Sequence, residues 1–211
     1  AEGNASWEEL SGESLLGAGN VPPAISDDLS CFGIAGSLGI GTWPVSVAVA
    51  GDHAYVVDFA SGGLQVIDIS SPDSPVLSGS LGVGSLPVSV AVSGNYAYVV
   101  GQGAGDLKVI DISSPASPVL SGSLGVGPAP ACVAVSGNYA YVVGQGTSDL
   151  KVIDISSPSS PVLTGSLGVG SDPIFVAVSG NYAYVVDIGS DDLKVIDVSS
   201  PADPVLSGSL G

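Results

Sequence analysis

Few side chains in this 211-residue chain could carry chemistry, and their spacing limits what that chemistry could be. His53 is the only histidine, so a His-based metal cluster or a Ser-His-Asp triad would depend on it. It stands where equivalent phrases carry Tyr96, Tyr139 and Tyr182, which reads as a packing substitution. Asp68, Asp111, Asp154 and Asp197 recur in VIDIS or VIDVS, and a ring of carboxylates could hold cations or an axial ligand. Each, however, lies just before a Ser-Ser-Pro turn whose amides it can accept. Acid–base work by two carboxylates needs unlike environments for the pair, whereas repeat-equivalent residues are expected to have like ones. Asp187, Asp191 and Asp192 fall within six residues, an oxygen-rich loop of the kind calcium favours, but without the spacing or closing Glu of an EF-hand. They form a weak metal candidate, with a solvated turn as the alternative. Glycine-rich turns such as GQGAGD at 101–106 lack the following helix and the lysine of a phosphate loop. No catalytic residue and no cofactor is expected from these patterns, and the chain reads as no enzyme.

The elements that would position these groups come from an internal repeat. Gly51, Gly94, Gly137 and Gly180 open the same phrase 43 residues apart, and a period in the forties rich in β-formers is the signature of a propeller. Within one copy, PVSVAVSG (87–94) alternates apolar and small residues with the period of a strand. Gly94-Asn95 is a tight hairpin turn, and NYAYVVG forms the second strand. Tyr96 and Tyr98 share one face of it, where blade packing is favoured over sugar stacking. DLKVIDIS gives a third strand, stopped by SSPASP because proline cannot donate to a ladder. PVLSGSLGVG gives the fourth. Four antiparallel strands per repeat make one propeller blade. The predicted fold is all-β, a β-propeller of four four-stranded blades spanning 44–86, 87–129, 130–172 and 173–211.

The phrases YAYVV, LKVIDISSP and PVL resemble the LVIVD-repeat β-propellers found in bacterial and archaeal surface proteins. The resemblance covers residues 36–211, about four-fifths of the chain. It implies the fold and a surface location, and no common activity; relatives usually have more blades.

Composition narrows the partners. The net charge of −17 comes from 20 acids against Lys108, Lys151 and Lys194, so nucleic acid and anionic membrane surfaces are disfavoured. No apolar run approaches the roughly 18 residues of a membrane-spanning helix. An AEGNAS start with no Met anywhere suits a processed chain, and a secreted or cell-surface location is expected. Such a setting permits one disulfide between Cys31 and Cys132, within or between chains; the alternative for Cys132 is a small buried apolar residue. Residues 1–30 match no repeat; Ser6 with Glu9 could cap a short helix, and Asn4 lies in a glycosylation triplet.

The strand count carries the functional expectation. CFGIAGSLGIG at 31–41 aligns with SPVLSGSLGVG at 74–84, so that Ile34, Leu38 and Ile40 match Leu77, Leu81 and Val83. Residues 31–43 are therefore read as an extra outer strand, a fifth for four blades. The last blade already encodes its own outer strand at Val205 to Gly211, and one of the two is surplus. An apolar edge strand left unpaired is an association hazard. The expected function is a structural subunit assembling with copies of itself, into a filament, by strand exchange between neighbouring propellers. Phe32, Ile34, Leu38 and Ile40, or Val205, Leu206 and Leu210, would form the exchanged strand. The alternatives are a self-contained propeller acting as a monomeric binding or adhesion module for a glycan or protein, two chains sharing one larger ring, and a fragment of a longer propeller.

Overall fold

A computed structural model describes residues 33–211. Asn4, Ser6, Glu9, Cys31 and Phe32 lie outside the described residues, and with them the glycosylation, helix-cap and disulfide expectations. Residues 35–211 gather into one unit. Sixteen strands form four sheets of four, each antiparallel and in simple chain order. Blade 1 comprises β1 (Pro44–Ala50), β2 (His53–Asp58), β3 (Gly63–Asp68) and β4 (Val76–Gly82). Blade 2 comprises β5 (Pro87–Ser93), β6 (Tyr96–Gly101), β7 (Asp106–Asp111) and β8 (Val119–Gly125). Blade 3 comprises β9 (Pro130–Ser136), β10 (Tyr139–Gly144), β11 (Asp149–Asp154) and β12 (Val162–Gly168). Blade 4 comprises β13 (Pro173–Ser179), β14 (Tyr182–Asp187), β15 (Asp192–Asp197) and β16 (Val205–Leu210). The four-bladed all-β propeller reading therefore holds.

Local chemistry explains each joint. The first hairpin of each blade turns at Gly51, Gly94, Gly137 or Gly180, all with φ near +56°, where an L side chain would be strained. Each blade's first strand opens on a proline, and the ladder shifts register beside it because that residue has no N–H to donate. After the third strand, the aspartate of VIDIS accepts the amide two residues on: Asp68 from Ser70 at 2.8 Å, Asp111 from Ser113 at 2.9 Å, and Asp154 and Asp197 likewise. The adjoining serine hydroxyl, and then its amide, hold these four carboxyls below the usual carboxylate range. They serve the turns one by one.

Blades stack face to face, so the second and third strands are covered on both sides and read as nearly continuous apolar runs. One apolar cluster joins Tyr55, Val57, Leu64 and Val66 of blade 1 to Val90, Ala97, Val99 and Ile110 of blade 2. The same positions repeat between blades 2 and 3 and between blades 3 and 4. A polar stitch accompanies the packing near the inner strands: Ser46 Oγ accepts from the Val90 amide at 3.1 Å, and Ser89 Oγ from the Val133 amide at 3.2 Å. Cys132 occupies this slot in blade 3, buried, with burial raising its thiol pKa and its S–H 3.8 Å from the Val176 carbonyl. Each blade thus has a leading face, met by the preceding blade, and a trailing face, met by the next.

Candidate functional site

The described residues place the candidate chemistry apart. His53 pairs across the ladder with Asp68 and lies beside Tyr55, as a packing residue would. Among the described residues, no group of three or more His, Cys, Asp or Glu side chains could hold a metal ion. The loop that carries the metal candidate Asp187, Asp191 and Asp192 also receives a lysine. Lys194 stands between the first and last of these, 3.5 Å from Asp187 and 2.5 Å from Asp192, while Asp191 takes a positive φ of 53°. Asp187 is fully buried, and its Oδ1 accepts from the amides of Asp172 at 3.0 Å and Gly189 at 2.8 Å. Burial pushes its pKa up, but those amides, the Ser190 hydroxyl and Lys194 outweigh that and leave it lowered. Asp58 is the counterpart in blade 1, buried and lowered by the amides of Ser61 and Trp43. The middle blades carry Gly101 and Gly144 there instead. Carboxylates at this position therefore belong to the two end blades alone.

The ends differ in packing as well. No apolar cluster joins blade 4 to blade 1 among the described residues. On the leading face of blade 1, Val47 is 61% exposed, against 6% or less for Val90, Val133 and Val176 in its slot. Val45 and Val49 are bare beside it. On the trailing face of blade 4, Val186 and Leu193 are 39% and 38% exposed, whereas their counterparts in the other three blades are fully buried. Phe175 is exposed there too, in the slot of Ser46, Ser89 and Cys132. The chain therefore presents two apolar faces that are complementary by construction. Each of its three internal junctions joins one trailing face to one leading face.

The strand residues singled out from sequence divide between these ends. Ile34 and Leu38 are exposed, while Ile40 packs on Ala54, Val56 and Ile67 of blade 1. Residues 34–40 form no ladder, although they carry an outer-strand sequence, because among the described residues no third strand lies beside them to accept their hydrogen bonds. Their seat is nevertheless that of an outer strand. A Cβ at Gly36 would lie 2.5 Å from the Pro72 carbonyl of blade 1; at Gly122 of β8 it would lie 2.5 Å from the Pro158 carbonyl of blade 3. Gly79 and Gly165 abut the next blade's turn in the same way. Gln65 Nε2 donates to the Ile40 carbonyl, and Trp43 is anchored by Asp58 and by the Phe59 ring at 4.9 Å. At the other end Val205 and Leu206 are about as exposed as Val119 and Leu120 of β8, so they do not distinguish the last blade. Leu210, 77% exposed, does. Sequence reasoning missed Val47, Val49, Val186 and Leu193, whose residue types are unremarkable for their slots; Phe175 was the visible signal.

No curated protein matches the chain. Among solved structures, a functionally unknown protein from Desulfotomaculum acetoxidans superposes with a TM-score of 0.72 at 14% identity, over 82% of this chain and 58% of that one. A putative 6-phosphogluconolactonase from Bacteroides uniformis gives 0.70 at 14% identity, over 79% and 54%. The periplasmic gluconolactonase PpgL of Pseudomonas aeruginosa gives 0.67 at 18% identity, over 80% and 53%. The chain spans little more than half the length of these structures. At such identities the likeness shows the fold. It also corrects the expectation that the chain is no enzyme, because that expectation rested on missing linear motifs, and proteins described as lactonases share this arrangement of blades. Loops from separate blades can meet without any motif along the chain. The sequence model of the LVIVD repeat matches four times, at 45–82, 88–125, 131–168 and 175–210, one match per blade, and the chain belongs to the LVIVD repeat family.

Proposed function

We propose that this protein is a secreted, surface-associated structural subunit that assembles with copies of itself, trailing face to leading face, by strand exchange between neighbouring propellers. The observation that carries this reading is the pair of bare complementary faces at the two ends of the blade array. The trailing face of blade 4 offers Phe175, Val186 and Leu193; the leading face of blade 1 offers Val45, Val47 and Val49. None of these six side chains is charged.

Magnitudes favour strand exchange over plain stacking. Fully burying a Val, Leu or Phe side chain is worth about 1.5–3 kcal/mol, and these six are partly covered already. Their completion therefore contributes several kcal/mol, comparable with the roughly 4–15 kcal/mol that association costs in lost freedom. Stacking alone is marginal. A strand shared across the junction adds a ladder of backbone hydrogen bonds and fixes register. A head-to-tail contact that does not close on itself builds a filament.

The mass distribution of the purified chain across concentration tests this reading, with electron microscopy of the same samples. Species at multiples of the 20.5 kDa chain mass and linear particles are expected. A single species at 20.5 kDa at every concentration would refute it.

A further inference from the structure

We infer that the N-terminal segment 35–39 is the exchanged strand, that it pairs with β15 of a second copy, and that it takes the place of that copy's β16. This rests on the reading that copies join trailing face to leading face. The internal junctions supply the geometry. Where blade 2 follows blade 1, the outer strand β4 pairs with β3 and runs on directly into β5, so it belongs to one blade and is tethered to the next. Residues 35–39 have that same tether, to β1, and that same seat on blade 1. What they lack, among the described residues, is a third strand beside them.

At the other end, β15 has its outer strand in place, but that strand has lost the neighbour that secures it elsewhere. Gly79, Gly122 and Gly165 each abut the following blade's turn, whereas a Cβ at Gly208 would meet nothing within 4 Å. Every residue of β16 is exposed, while β4, β8 and β12 each keep three half-buried residues. If a second copy docks as blade 2 docks on blade 1, its residues 35–39 and the first copy's β16 fall on the same site. The segment at 35–39 is held on its own blade by Ile40, by Gln65 on the Ile40 carbonyl and by Trp43 on Asp58. β16 is held by β15 alone. The tethered strand stays and the loose one leaves.

Register follows from the repeat. In β3 and β4, Leu64 faces Leu81, Gln65 faces Ser80 and Val66 faces Gly79. One repeat earlier along the donor and three later along the acceptor, Leu38 faces Leu193 of the second copy, Ser37 faces Lys194 and Gly36 faces Val195. Within a single chain Leu193 faces Leu210 instead.

Two glycines separate the two strands. Gly36→Val would drive a side chain into the Pro72 carbonyl and unseat the donor while leaving every described strand intact. Gly208→Val falls on a strand that leaves the junction. We expect G36V to lower the assembled fraction at least tenfold and G208V to change it less than twofold, by sedimentation at equal concentration. A second measurement uses Leu38→Cys with Leu193→Cys, in a chain carrying Cys31→Ser and Cys132→Ser, serine being the residue of the Cys132 slot in blades 1 and 2. Oxidation should give a ladder of disulfide-linked chains on denaturing gels. A G208V-sensitive, G36V-insensitive assembly without that ladder would overturn this inference and leave head-to-tail assembly standing. A chain that never leaves 20.5 kDa would overturn both.

Discussion

Leu107 and Leu193 are the same residue in the same slot of the same repeat, yet the first is fully buried and the second 38% exposed. The contrast holds for Val90 against Val47 and for Val100 against Val186. Interior junctions and end faces are thus built from one sequence, and only their place in the array distinguishes them. A repeat whose blades are interchangeable carries, in every copy, the surface needed to receive another copy. Unless something covers them, the first and last blades must leave one such surface open each.

The largest effect should come from making one substitution at both kinds of site. Leu107→Ala opens a cavity in a packed junction and should cost about 2–5 kcal/mol of stability. Leu193→Ala removes a side chain that is already wet and should cost about 1 kcal/mol in the dilute chain. Thermal melts at low concentration make the comparison, and equal losses would mean that the end face is covered. At high concentration the gap should narrow, because assembly buries Leu193.

Acid should act more strongly on the end blades. A carboxyl held below its ordinary range stabilises the fold while ionised; that contribution is present above pH ~4 and is lost as pH falls further. The VIDIS aspartates give every blade one such group, whereas Asp58 adds a second to blade 1 and Asp187 and Asp192 add two more to blade 4. The melting temperature should therefore fall below pH ~4. The fall should be shallower in the Asp58→Gly, Asp187→Gly double variant, which copies the interior. An unchanged slope would assign the acid response to the VIDIS turns and Asp192.

The comparison also shows why some of the molecule was legible and some was not. Phrase spacing, hairpin glycines and proline stops encode local geometry, and they locate the strands before any coordinates are known. The alignment of 31–41 with 74–84 likewise pointed to an outer strand, and Gly36 sits on its blade's turn as that alignment requires. Burial is different, because it depends on what lies on the far side of a blade. Val47 and Leu193 look like their buried counterparts, so no periodicity could mark them. The end blades do differ at a few positions: Phe175 in a small-residue slot, Asp58 and Asp187 in a glycine slot, and Gln65 in a lysine slot. The expectation against an enzyme failed for a related reason, since it weighed linear motifs where a propeller assembles its loops in space.

Mixing two variants, each blocked at one end, tests the complementarity of the end faces most directly. Val47→Asp places a charge on the leading face and Phe175→Asp on the trailing face, each at an exposed position where the isolated blade tolerates it. Each variant alone should stay at 20.5 kDa, since every junction would bury an unpaired carboxylate. Mixed in equal amounts they should form a one-to-one complex at twice that mass, because the intact trailing face of one meets the intact leading face of the other. A mixture that remains at 20.5 kDa while the unsubstituted chain assembles would contradict the account.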